Sequence, residues 1–358
     1  MKDLEKVENA PVNDMETKKE QQMENFAAEV QKEKKVQKVR VVTQQTLLYI
    51  VLTIAALISI FPFIYMILVS FMPHEQYDIM SGLAGLMPTF RPNEMVNYDY
   101  GMLASRMAAL YGKDFEDVSF FEMLFANYKE AFSGTIQGAG GDLHIGQVLI
   151  NTLLVASSSV LFGMIVLILS AYAFARLEFK GKNIIFSFLL FTMMIPGELF
   201  TITNYTTIYN LNLAGTLTAL VVPFMVSVYY IYLLRNNFKQ IPNELYKAAK
   251  VDGVGDFKYL VTVMIPLAAP TIISITILKV ISVWNSYIWP NLVNTGSNAL
   301  LISNWMAQAG RTEVGGLSMT VVPIKLAAAM VVTLPLLIIF IFFRKYIMRG
   351  VSKSGIKG

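Results

Sequence analysis

Residues 241–271 read IPNELYKAAKVDGVGDFKYLVTVMIPLAAPT, a largely polar stretch set between two apolar ones. Pro242 suits a first helical turn, where its missing N–H costs nothing, and Glu244 behind it favours the positive end of the helix dipole. Leu245, Ala248 and Ala249 recur at i, i+3 and i+4, a narrow stripe of mostly small side chains that lets another surface come close. Asp252-Gly253 stops this helix, because glycine adopts the left-handed conformation that closes helices. Asp256 is placed to cap the next helix, and Phe257, Leu260, Val261 and Met264 carry a new stripe to Pro266. The expectation is helix, glycine turn, helix, on the cytosolic side of a membrane.

The rest of the chain supplies that membrane context. Its 358 residues are 55% hydrophobic and 15% charged, with mean hydropathy +0.52, which excludes an ordinary soluble domain and fits a polytopic membrane protein. There is no cysteine, so disulfides and thiolate zinc sites are excluded, and the isolated His74 and His144 have no metal-ligand spacing. The net charge of +4 comes from basic residues flanking apolar spans, so no nucleic-acid partner is expected.

Residues 1–43, rich in Lys, Glu, Gln and Asn, bury too little to fold alone and are expected to form a disordered cytosolic tail. The basic run at 32–40, KEKKVQKVR, anchors its end on the cytoplasmic side. A first span follows over 44–72. Residues 73–147 turn polar, with more acidic than basic side chains, and are expected outside. Within them MLASRMAALYG (102–112) and SFFEMLFANYKEAF (119–132) have the pattern of short amphipathic helices, which predicts an ordered cap. Five more spans are expected near 148–174, 184–205, 214–234, 267–292 and 323–345, forming a core over 148–345 that includes the loop 241–270. Basic residues cluster between spans two and three and after span six, which puts both termini and the 346–358 tail in the cytosol. Only helices satisfy their own backbone in lipid, so the fold class is an all-α integral membrane bundle of six transmembrane helices.

Polar residues inside the spans are the candidates for the path, since each is costly in lipid. They are Asn151, Glu198 after the bend expected at Pro196-Gly197, Tyr229 beside Tyr230, Lys279, and Trp284 with Asn285. Asn285 serves either to glue helices or to touch solute, and Trp289 fits an interfacial aromatic belt. Glu198 and Lys279 lie at depths that allow an ion pair.

Ala248-Ala249, Asp252-Gly253, Ile265-Pro266 and Pro270 resemble the EAA loop of ABC-importer permeases. Trp284-Asn285-Ser286-Tyr287 with Trp289-Pro290 resembles a run in the fifth core helix of sugar permeases. Thr333-Leu334-Pro335, Phe342-Phe343 and the ending Gly350 to Gly358 resemble the close of maltose-type carbohydrate permeases. The resemblance covers roughly 47–358, apart from the external insertion. It implies a type I ABC importer permease fold in which 242–253 is a coupling helix docked on an ATPase. Glu244, Lys247, Ala248, Ala249, Asp252 and Gly253 are the coupling residues it implies, and Gly355, Lys357 and Gly358 form a tail that reaches the ATPase. Lys247 departs from the pattern, which has glutamate before the two alanines. A second permease subunit in a heterodimer, two ATPase subunits and an extracytoplasmic solute-binding protein are the implied partners, together with membrane lipid, in a bacterial plasma membrane. ATP and magnesium are implied on the ATPases, and this chain, lacking a G-x-x-x-x-G-K-[ST] phosphate loop, is expected to bind no cofactor and to be no enzyme. An importer for a non-carbohydrate solute remains open. An ion-coupled secondary transporter would also explain Glu198 and Lys279, but matching broken halves are not evident.

The orientation is testable in a chain without cysteines. Ser81→Cys and Gly140→Cys should react with a membrane-impermeant thiol reagent in intact cells, and Ser354→Cys should not. Reverse labelling would overturn the arrangement.

Overall fold

The computed structural model describes residues 10–79, 87–90, 99–134, 136–138, 141–314 and 317–352. Two compact units divide the chain between Tyr65 and Met66. The first consists of most of helix α1, Ala10–Ser70, and its membrane-length portion is Gln37–Ser70. Helix therefore begins far upstream of the first span, where a structureless tail was expected. The physical reason is propensity: Glu, Lys, Gln and Ala are strong helix formers, so a segment too polar to build a core still continues a helix nucleated in the span.

In the second unit the chain after α1 forms α2 (His74–Ile79), α3 (Tyr100–Tyr111), α4 (Phe120–Leu124), α5 (Ala126–Ser133) and a hairpin of β1 (Ile136–Gly138) and β2 (Gly141–Leu143). α3, α4 and α5 are the short helices the amphipathic pattern predicts; α2 and the hairpin are additions to it. Asp99 caps α3 by accepting from Gly101 and Met102, and Ser119 and Glu122 form a capping box on α4. Glu122 is held down at about 2, first by its hydrogen bond to Lys113 and then by those from Ser119. At the centre, Arg106 donates to Glu75 at 3.0 and 3.3 Å, to Glu130 at 3.1 Å and to Asn127 at 3.3 Å. Asn127 in turn donates to the carbonyls of Ser70 and Met72 at 2.9 and 2.7 Å, so the cap is fastened where α1 ends.

The core consists of α6 (Ile145–Ala175), α7 (Lys182–Thr192), α8 (Thr201–Asn210), α9 (Thr218–Val221), α10 (Val228–Gln240), α11 (Asn243–Val251), α12 (Asp256–Tyr259) and α13 (Ile265–Trp284). It continues through α14 (Ile288–Asn294), α15 (Ile302–Gln308), a second hairpin of β3 (Arg311–Val314) and β4 (Leu317–Thr320), and α16 (Val322–Ser352). A π turn, Leu260–Met264, joins α12 to α13. One apolar cluster joins α6, α10 and α13 around Leu167, Leu234, Phe238, Met264 and Ile275; a second seals the cap helix α5 against α13, α15 and α16 through Trp284, Trp305 and Ile324.

Among the described residues four helices are long and apolar enough to cross a membrane: Gln37–Ser70, Ile145–Ala175, Asp256–Trp284 and Val322–Tyr346. Two bent pairs pass the same test, Lys182–Thr192 with Gly197–Asn210 at 89° and Thr218–Phe224 with Val228–Gln240 at 49°, which makes four spans or up to six. Spans three and four of the sequence reading are thus broken, and span five ends at Trp284 instead of continuing to 292. Pro196 disfavours helix at Ile195, which accounts for the first break; in the second pair Pro223 precedes the break at 225–227 and leaves the Ala219 carbonyl without its i+4 donor.

Glu75 reports on the cap. Burial pushes its carboxyl up, but the hydrogen bond with His74 and then the charge of Arg106 prevail, and it titrates below its ordinary 4.5. A depressed carboxylate stabilises the fold above the unfolded value, and that contribution disappears as the pH falls through the folded one. Arg106→Met removes the guanidinium that Glu75 and Glu130 share, leaving Glu75 its contact with His74, and should destabilise the cap by about 3 kcal/mol. Limited proteolysis should then cut within 73–147 while the spans stay intact; unchanged resistance would deny the cluster its role.

Candidate functional site

α11 is short and built to be presented. Pro242 sits just before it in extended conformation, one position earlier than its expected place in the first turn. The helix ends at Asp252, and Gly253 follows with φ +72, its N–H donating to the Lys250 carbonyl at 3.1 Å while Val254 N–H reaches the Ala249 carbonyl at 2.8 Å. The apolar stripe divides differently from the sequence expectation. Ala249 and Tyr246 pack inward on the core, whereas Leu245, Ala248, Glu244, Lys247 and Asp252 face out. Val251, 88% exposed, and Phe257, 72% exposed, extend the outward apolar surface beyond the predicted residues.

Asp256 does not cap α12. Gly255 takes the N-cap place, and the Asp256 carboxylate instead accepts from Tyr246 at 2.8 Å, Lys250 at 2.9 Å and Tyr172 at 3.2 Å. Three donors on one carboxylate outweigh a single cap bond, and they tie α11 and α12 to the end of α6. Lys250 titrates above its ordinary value, chiefly because of its hydrogen bond to Asp256, and Tyr246 is raised by burial and then by that same carboxylate. Arg176, the C-cap residue directly after α6, donates to the carbonyls of Phe238 (2.9 Å) and Ile241 and to the Asn243 side chain (3.3 Å), so both ends of the α11 loop are attached to the same helix.

Elsewhere in the core lies a cavity of about 440 Å³, within the range of ligand sites, roughly 300–1,000 Å³. Of the predicted path residues it contains Tyr229 and Lys279. Tyr230, Ser159, Ser227, Ser282 and Ser286 complete its polar lining, with Phe224 and Trp289 as aromatic walls. The serines were missed, although Lys279, Ser282 and Ser286 recur at i, i+3 and i+7, one helical face.

Asn151, Trp284 and Trp289 each hold a backbone carbonyl elsewhere in the core. Asn151 donates to the carbonyls of Asn298 and Leu300 at 2.7 and 3.1 Å, holding the turn before α15. Trp284 is buried and donates to the Val332 carbonyl at 3.0 Å; Asn285 is the exposed residue that ends α13. Trp289 is only 7% exposed and supplies the Ala219 carbonyl that Pro223 orphans, at 3.0 Å, so it is not part of an interfacial belt. Glu198 is exposed at the 89° bend and Lys279 meets the Met225 carbonyl at 3.3 Å; among the described residues no ion pair joins them. Gly355, Lys357 and Gly358 lie outside the described residues.

Residues 160–353 match the family described as binding-protein-dependent transport system inner membrane component. The chain belongs to this family. It is similar to the arabinooligosaccharides transport system permease protein AraQ of Halalkalibacterium halodurans, at 30% identity over 56% of this chain and 73% of that one. It is also similar to the trehalose/maltose transport system permease protein MalG of Thermococcus litoralis, at 28% identity over 88% of this chain and 98% of that one. In three dimensions it matches the crystal structure of a bacterial ABC transporter involved in the import of the acidic polysaccharide alginate, with TM-score 0.61, 20% identity, and 83% and 94% of the two chains covered; this likeness speaks to fold. The protein is therefore a multi-pass permease subunit of an ABC importer rather than an enzyme, with ATP hydrolysed by a separate subunit, and the secondary-transporter alternative falls.

Asp256→Asn weakens the tie without removing volume. Amide hydrogen exchange across 243–253 should accelerate severalfold while α6 and α13 keep their protection. Unchanged exchange would show that packing of Tyr246 and Ala249 alone holds the loop.

Proposed function

We propose that this chain forms, in a heterodimer with a second permease, the path of an importer for a sugar or oligosaccharide. Two ATPase subunits couple to it, and an extracytoplasmic solute-binding protein delivers the solute. The observation that carries this assignment is the short exposed α11, closed by Gly253 and fastened through Asp256 and Arg176 to the bundle: a handle offered to a partner and wired to the core. The apolar outward residues Leu245, Ala248 and Val251 suit a cleft in the ATPase, and Lys247 beside them offers a positive charge where the family's pattern has an acid.

Each bent pair counts as one span in this proposal, for six in all. Both termini and α11 lie in the cytosol, and the 73–147 cap lies outside. ATP and magnesium belong to the ATPases, and this chain holds no cofactor. ATP-driven closure of the ATPases moves α11, and its ties carry the displacement to α6, α10 and α13, which border the cavity. The sugar class has two supports: the relatives' substrates, and a cavity that pairs hydroxyls with aromatic faces.

Gly253→Asp tests the handle. Nothing lies within 4 Å of a Cβ there, so the cost inside this chain is the positive φ alone, about 1 kcal/mol. The variant should insert and accumulate normally yet import little sugar, with the ATPase lost on purification or unresponsive to loaded binding protein. Wild-type uptake and substrate-stimulated ATP hydrolysis at normal abundance would sink the proposal. Lys247→Glu should be tolerated unless the partner cleft holds a matching acid, which impaired assembly would reveal.

A further inference from the structure

Lys279 is 5% exposed and lies in a span, where an ammonium is costly unless something compensates it. It has three N–H donors. Among the described residues its hydrogen-bond partner is one neutral carbonyl, Met225 O at 3.3 Å, and the Tyr230 ring stands 6.0 Å away, at the edge of useful cation–π range. Among the described residues no carboxylate lines the cavity that Lys279 borders. The Ser159 hydroxyl, contributed by α6, is 3% exposed and has no hydrogen-bond partner among the described residues. Such a group costs free energy while unsatisfied, and it lines the same space.

Room for the ammonium has been made. Gly163, one turn beyond Ser159, would as any other residue place a Cβ 2.7 Å from Lys279 Nζ and 2.8 Å from the Met225 carbonyl. That carbonyl points inward because the chain breaks between Val222–Phe224 and Val228–Gln240, where Ser227 starts the second helix. A cleared niche, an uncompensated cation and an unpartnered hydroxyl thus meet in one cavity beside the hydroxyls of Ser282 and Ser286.

We propose that Lys279 and Ser159 form an anion subsite, so that the solute this chain passes carries an acidic group, a carboxylate or a phosphate ester, on a hydroxyl-bearing skeleton. This rests on the importer assignment above and narrows its substrate class. The acidic group compensates the ammonium and accepts from Ser159, and the remaining serines and Tyr229 meet the hydroxyls.

The absence of cysteine makes the test direct. In membranes containing all subunits of the importer, Ser282→Cys is modified with an anionic and with a cationic methanethiosulfonate. The anionic-to-cationic rate ratio should fall about tenfold when Lys279→Met is added, the scale of field focusing in a low-dielectric cleft, and Lys279→Arg should preserve it. Methyl glucuronide or glucose 6-phosphate should slow modification at concentrations where methyl glucoside does not, and the acid that protects at lower concentration identifies the natural group. A ratio unmoved by Lys279→Met, as when a carboxylate of the second permease neutralises the lysine, overturns the proposal, and so does equal protection by the neutral glucoside. Should Lys279→Met not assemble, Ser159→Ala carries the comparison: protection by the acid should weaken severalfold, and unchanged protection counts against the subsite. The labelling does not depend on ATP hydrolysis, so an unmoved ratio strikes the subsite alone, whereas loss of ATP-dependent uptake with the ratio intact strikes the importer assignment.

Discussion

A backbone carbonyl released inside an apolar layer has to find a donor, at a cost of several kcal/mol if it does not. This chain releases many, because its spans are interrupted. Pro223 frees the Ala219 carbonyl, and the Trp289 indole takes it from 70 residues away. The break after Met225 frees another for Lys279. Arg235 takes the Phe174 carbonyl at 3.0 Å as α6 runs out, and Arg176 takes those of Phe238 and Ile241 where α10 runs out. Each repair is a long-range side-chain donor, so the interruptions that look like weaknesses in single helices become the fasteners between them.

These fasteners give α11 its meaning. A nine-residue helix is marginal alone, and this one holds its place because α6 is capped by Arg176, which reaches the carbonyls before it, and passes Tyr172 to the carboxylate after it. A push on its outer face therefore cannot be absorbed by rotation of a loose loop. It has to be taken up by α6, which also carries Ser159 and Gly163 in the wall of the cavity.

How much of this was legible in the sequence depends on range. Local signals survived: Gly253 in left-handed conformation, the helical patterns of the cap, the bend at Pro196. So did the apolar runs, though not the interruption at 225–227, since hydropathy averages over such a break. What failed needed a partner far along the chain. Asp256 resembles a cap until Tyr172 and Tyr246 are brought to it, and Trp289 resembles an interfacial anchor until Pro223 leaves it a carbonyl. Asn151 was singled out because buried amides are costly, yet its bonds to Asn298 and Leu300 show that cost offset by structure. The helical start at Ala10 was hidden because a composition too polar for a core is still a good one for a helix.

The π turn at Leu260–Met264 works as a phase adjuster. It winds wider than the α-helix around it, yet Leu260, Met264, Ala268, Ile275 and Lys279 all end on the buried side. Successive α-helical residues advance by about 100°, so the length of that one turn sets the compass bearing of everything downstream. Removing one residue there would leave the hydropathy of the span untouched and swing Lys279 away from its niche. The address of this buried charge is thus written in the first turns of its span, four turns before the residue itself.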